Sequence, residues 1–170
     1  PELVQVVALQ WKWLFIYPKE GIATINDLYV PVNQQVEFQI TADAPMSAFG
    51  IPQLVGQIYA MAGMRTRLHM YSSHIGVYDG LNTQLNGDGF AYMHFPVHVA
   101  SADDFSQWVD HVKAIGTPLT TENYGALYEP TINAPAQYFS SVSDGLFHAI
   151  MMQYMENKHW LHSLSTDKTA

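Results

Sequence analysis

Apolar and polar residues alternate with a period of two through much of the first hundred positions. Val4, Val6 and Ala8 alternate with Gln5 and Val7, and Trp11, Trp13 and Phe15 alternate with Lys12 and Leu14. Val36, Phe38 and Ile40 interleave strictly with Glu37, Gln39 and Thr41. This is the pattern of strands with a buried face, because successive side chains of a strand point to opposite sides. Arg65 to Tyr71 alternates less cleanly, and Ala91 to Val99 is a further strand candidate. Turn formers punctuate these runs at Pro18–Gly21, Asn33, Asp43–Pro45, Gly63, Gly76, Asp79-Gly80 and Gly87–Gly89. Short strands so separated predict a β-sandwich or Greek-key barrel.

After position 100 the period changes. Ser101 and Asp104 form a capping box with Asp in place of Glu. Phe105, Trp108, Val109 and Val112 then fall at i, i+3, i+4 and i+7, one apolar face of a helix that Gly116-Thr117-Pro118 ends. Residues 117–140 read as loop, with a helical turn near Glu122–Leu127. A second helix is predicted from a Ser143 cap to about Asn157, with Leu146, Ile150 and Tyr154 on one face, and a frayed tail after Lys158. The expected organisation is a mainly β domain over 1–100 followed by a C-terminal helical arm and tail over 101–170. No repeat or low-complexity tract interrupts it.

Composition narrows the function. The 170 residues carry a formal charge of −8, with only seven Lys and Arg. Binding a phosphate backbone needs a basic face, so nucleic acid is not an expected partner. The same balance speaks against docking on anionic lipid through a polybasic patch. Cysteine is absent, which removes disulfides, thiolate catalysis and thiolate metal sites. Ala44 to Met64 is uncharged, but Pro45, Pro52, Gly50, Gly56, Gly63, Gln53 and Gln57 interrupt it. A membrane helix needs about 20 mostly apolar, unbroken residues, so no span is expected there. The start at Pro1, without signal peptide or initiator Met, is what a domain cut from a longer protein, or a processed one, would show.

Four segments carry a resemblance. They are Gln10-Trp11-Lys12-Trp13-Leu14-Phe15-Ile16-Tyr17-Pro18, Ser47 to Leu54, Gln57 to Met64, and the glycine-rich run Gly80 to Met93. In this order they resemble subunit II of the haem–copper respiratory oxidases, and more narrowly the quinol-oxidising, bo-type ubiquinol oxidase branch. The resemblance implies a cupredoxin-like Greek-key β-sandwich or barrel. In copper-carrying members two thiolates, two imidazoles, a thioether and a backbone carbonyl hold a dinuclear centre. The cysteine positions fall here on Asn82 and Asn86, the carbonyl donor on Gln84, and the histidines on Ser47 and Phe90. Only Met93 keeps its identity. A soft copper site cannot be built from that set, so no metal, cofactor or catalytic residue is expected in this domain. Trp11 matches the family's electron-entry aromatic and is expected to serve packing instead.

Other candidate ligands are weaker. His94 and His98, four apart on a strand, would be about 13 Å apart and could not share a metal. His159 and His162 could share a helix face within the tail. His69 and His74 are isolated, and nearby Met64 and Met70 read as core filler. Asp103, Asp104 and Asp110 read as cap and solvated-face residues. No nucleophile elbow or phosphate loop is present.

The resemblance implies a complex that oxidises ubiquinol, reduces dioxygen to water and pumps protons. Its haem and copper would lie in the large subunit, and ubiquinol would bind elsewhere in the complex. This chain would face the periplasm and be held to the inner membrane by two N-terminal helices preceding Pro1. It would contact the large subunit and other oxidase subunits in a structural, assembly role, and would be inactive alone. Phe105-Ser106-Gln107-Trp108-Val109 is the best-matching piece of the branch's C-terminal arm. The alternatives are a free-standing cupredoxin-like electron carrier or a periplasmic binding module.

Overall fold

A computed structural model describes residues 1–83 and 93–155. Two sheets face one another. The first, in the order β11 (Thr117–Leu119), β12 (Gln137–Val142), β3 (Ile22–Ile25), β2 (Lys12–Tyr17), β1 (Glu2–Leu9), β5 (Val36–Ala42), β8 (Thr66–Met70), holds seven strands. The second holds five, in the order β4 (Leu28–Pro31), β10 (Phe95–Ala100), β9 (Gly76–Asn82), β6 (Ser47–Ile51), β7 (Val55–Ala60). Strands β1, β2 and β3 form an antiparallel meander, whereas β1 pairs with β5 and β4 with β10 in parallel. The mainly β sandwich expected from the alternation, with the cupredoxin-like fold that the resemblance implies, is therefore present.

The inward rows of the two sheets make the main core. Val4, Val6 and Ala8 of β1, Trp13, Phe15 and Tyr17 of β2, and Val36, Phe38 and Ile40 of β5 meet Leu28, Val30, Phe49, Phe95, Val97 and Val99. Trp13, Phe15, Phe38, Phe49 and Phe95 contact one another at centroid distances of 5.1 to 6.4 Å, mostly edge to face or tilted. Such contacts add about 0.5–1.5 kcal/mol per pair beyond the area they bury. Helix α1 (Ala102–Ile115) packs against this core through Phe105, Trp108, Val109 and Val112, the four residues its spacing selects. Ser101 caps it, its hydroxyl accepting from the Asp104 amide at 3.1 Å.

The chain beyond α1 departs from a loop followed by a helix. Strands β11 and β12 extend the first sheet, β12 pairing antiparallel with β3. Both are short; Pro118 lies within β11, and Pro130 and Pro135 precede β12, so their alternation is masked by turn formers. The short helix α2 (Gly125–Tyr128) sits where a helical turn is expected. Helix α3 begins at Leu146 and is described to Met155. Ser143 does not begin it; its hydroxyl accepts from the Thr121 amide at 3.3 Å.

A second core forms on the outer face of the meander. Val7, Leu9, Leu14, Ile16, Ala23 and Ile25 are covered by Leu119, Tyr124, Leu127, Phe139, Leu146, Phe147 and Ile150. The arm therefore makes β1 and β2 buried on both faces at their adjoining ends. Asn26 marks the passage from one sheet to the other with φ of 58°, a left-handed conformation that Asn tolerates better than most residues. Its side chain accepts from the Trp13 amide at 2.8 Å and donates to the Ala134 carbonyl of the arm at 3.1 Å.

Candidate functional site

The first residue of β6, the last residue of β9 and the residues leading into β10 converge at one end of the sandwich. Ser47, Asn82 and Met93 lie there, all buried. Asn82 pairs with Phe49 across β6 and β9, and its side-chain oxygen accepts from the Ala48 amide at 2.8 Å. Its amide group donates to the Met93 thioether at 3.4 Å. The Met93 carbonyl accepts from the Trp13 indole at 3.0 Å. Ser47 donates to the Pro45 carbonyl at 3.4 Å. A buried amide is tolerated because its donor and acceptor are both used. Asn82 thus ties β6 to Met93 by hydrogen bonds.

Asn82→Ala would remove both bonds and leave the buried Ala48 amide without this acceptor. The expected loss is about 1–3 kcal/mol of unfolding free energy. Urea unfolding at fixed pH measures it, and an unchanged midpoint would remove Asn82 from this role.

Of the remaining positions matched to copper ligands, Gln84, Asn86 and Phe90 lie outside the described residues, as do His159 and His162. Among the described residues no group of three or more His, Asp or Glu could hold a metal ion. Trp11 is half-buried and packs on the main core, as expected of it. His94 is exposed and precedes β10, whereas His98 is half-buried within it. His98 Nε2 lies 3.3 Å from Asp27 Oδ1, and its ring stacks at 4.2 Å on Tyr29, which stacks at 4.4 Å on Trp108. Asp27 also accepts from the Tyr138 hydroxyl at 2.6 Å. Burial raises the Asp27 pKa, opposed by the Tyr138 hydrogen bond and the charge of His98. His69 lies 3.6 Å from Glu37 on the first sheet, and Met70 is core, while Met64 is exposed. Asp104 serves the N-terminal turn of α1, as its position predicts.

Two buried charges were not legible as functional. Lys12, between the two tryptophans, donates its ammonium to the Glu129 carbonyl and the Thr131 hydroxyl, each at 3.0 Å. Burial pushes its pKa down, and Glu129 partly opposes this. Asp43, which reads as a turn residue, is buried at the end of β5. Its carboxylate accepts from Tyr124 at 2.6 Å, Gln153 at 3.3 Å and Tyr154. Burial, and then the Asp43 charge, raise the Tyr124 pKa well above its ordinary value. A lone Lys in an otherwise apolar strand was the available signal for the first; nothing local distinguished the second.

Exposed apolar side chains flank the same end. Met46 is 41 % exposed and Tyr59 47 %. Met46 precedes Ser47, and Tyr59 faces Ala48 across β6 and β7, which places both beside the Asn82 network. Among the described residues no helix is long and apolar enough to cross a membrane.

The comparisons agree with this geometry. Residues 19–101 match the family described as cytochrome c oxidase subunit II, periplasmic domain, and residues 113–158 match the cytochrome oxidase aromatic-rich motif. The crystal structure of the periplasmic domain of cytochrome oxidase subunit II from Bradyrhizobium japonicum superposes with a TM-score of 0.64 at 23% identity. It covers 66% of this chain and 94% of that one, and supports the fold alone. The chain belongs to the subunit II family of the haem–copper oxidases. Within the family, relatives that it matches over most of its length are ubiquinol oxidase subunits. It is 47% identical over 154 residues to cytochrome bo(3) ubiquinol oxidase subunit 2 of Pseudomonas aeruginosa, covering 91% of this chain and 46% of that one. It is 46% identical to ubiquinol oxidase subunit 2 of Acetobacter aceti, covering 91% and 50%. The chain thus spans about half the length of these relatives.

Proposed function

We propose that this chain is the periplasm-facing part of subunit II of a proton-pumping ubiquinol oxidase, with a structural and assembly role. The observation that carries the reading is the state of the ligand positions. Asn82 occupies a thiolate position and is spent in hydrogen bonds to Ala48 and Met93. Neither it nor Ser47 offers copper a soft ligand. In this reading the domain binds no copper and no other cofactor, and holds no catalytic residue. Haem and copper reside in the large subunit, which oxidises quinol drawn from the bilayer and reduces dioxygen to water. The cupredoxin-like unit spans 1–100 and the arm 101–170. Segments upstream of Pro1 hold the subunit to the inner membrane. The isolated domain is inert.

The exposed pair Met46 and Tyr59 supports a protein contact at the site end, because apolar side chains clustered on a surface mark interaction sites. The large subunit is the partner this reading assigns to that pair.

The test is purification of the native subunit from detergent-solubilised source membranes. Co-purifying haem and quinol-dependent oxygen uptake are expected. Recovery of a haem-free chain alone in the soluble fraction would favour a free-standing module instead.

A further inference from the structure

At the end of the sandwich covered by α1, two carboxyl groups meet. Glu2 opens β1 on the same inward row as Val4, Val6 and Ala8, and is 3 % exposed. Glu20 comes from the turn between β2 and β3 and lies near enough to act on the Glu2 carboxyl through both a side-chain hydrogen bond and its charge. Apart from one another, Glu2 Oε2 and Glu20 Oε1 are buried with no donor to accept from among the described residues. Both residues line a cavity of about 250 Å³ with Lys19, Gln34, Phe105, Ser106 and Val109.

We propose that Glu2 and Glu20 hold one shared proton at neutral pH and that its loss loosens α1, making the first helix of the arm a pH-sensitive element. Two carboxylates in contact cannot both ionise cheaply, because burial and mutual repulsion both penalise the second charge. The surroundings offer little compensation. Lys19 and the Pro1 ammonium favour the charged form, while Glu20 opposes it. Tyr17 is near, but its hydroxyl is engaged with the backbone of Tyr29. Helix α1 faces the cavity with Phe105, Ser106 and Val109, none of which titrates. Burial first, and then the hydrogen bond and charge of Glu20, push the Glu2 carboxyl up to about 8.

The sign follows from linkage. The closed state keeps a proton that the open state, with an ordinary carboxyl value, releases. Protection of α1 is therefore fully present below the ordinary value, falls as pH rises towards about 8, and levels off above it. One proton gives a change of about tenfold per pH unit within that window.

The test is hydrogen exchange of peptides spanning 101–116 in the full-length subunit, corrected for the intrinsic pH dependence of exchange. Native protection is expected to fall about tenfold per unit between about pH 6 and 8. E2Q, whose amide can still donate to Glu20, is expected to abolish the slope, whereas E20Q, which leaves the burial of Glu2 in place, is expected to move it to lower pH. E37Q, on a different strand, is expected to keep it. An infrared band of a protonated carboxyl should persist at neutral pH and vanish in E2Q. Native and E2Q profiles of equal slope, or absence of that band, would overturn the proposal. Should one variant fail to fold, the other and the infrared band still decide it.

Discussion

Asp43→Ala is expected to destabilise the chain by about 3–5 kcal/mol, the largest single-residue effect anticipated from this structure. Asp43 is buried, and Tyr124, Gln153 and Tyr154 all donate to its carboxylate. Removing the acceptor leaves three donors to be resatisfied in a region with little access to water, each at about 1–3 kcal/mol. The donors all come from beyond residue 101, whereas Asp43 follows β5, so the loss also unfastens the arm from the sandwich. Asp43→Asn keeps an acceptor oxygen and is expected to lose less than half as much. Urea unfolding gives the free energies, and limited proteolysis shows whether the arm is released first. A native-like midpoint for Asp43→Ala would sink this account.

Restoring the ligand set is expected to turn a colourless domain into a copper protein. The variant carries Ser47→His, Asn82→Cys, Gln84→Glu, Asn86→Cys and Phe90→His and keeps Met93. Two thiolates supply the intense charge-transfer absorption that the native chain, without cysteine, cannot give. The geometry that favours success is local. Asn82 Nδ2 already lies 3.4 Å from the Met93 thioether, and Asn82 is bonded to the residue that follows Ser47. The sandwich beneath needs no rearrangement, because Trp13 fixes the Met93 carbonyl from the core. Titration with copper, followed by absorption and metal analysis of the desalted protein, is the measurement. A variant that folds normally but stays colourless would show that the loop positions are wrongly matched to the ligands.

The same contacts explain which features the chain displays openly. Helix α1 was legible in full, because Ser101 supplies a local cap and its apolar residues repeat at helical spacing. Strand β5 was legible because one face is solvent-accessible, so polar residues mark every second position. Strands β1 and β2 were less so. Val7, Leu9, Leu14 and Ile16 break the alternation, since the arm buries the face that would otherwise be polar. Strands β11 and β12 were missed for a related reason. Three to six residues beside several prolines carry too few alternations to stand out, and their pairing with β3 is non-local.

The candidate site divides in the same way. That the ligand positions hold Ser47, Asn82 and Met93 is written in the linear order, and ligand chemistry follows from side-chain type alone. How those side chains are engaged is not. The hydrogen bonds of Asn82 join residues 34 and 11 positions away. The bonds of Asp43 and Lys12 reach 81 to 119 positions along the chain. Sequence by itself determined the β character of the first hundred residues, the first helix and the absence of thiolate ligands, because each depends on local period or residue identity. Tertiary structure alone decided that the arm completes a sheet, covers a second core and satisfies two buried charges. Those outcomes depend on which surfaces meet, and burying a charge or an apolar face is favourable only when its partner arrives from elsewhere in the chain.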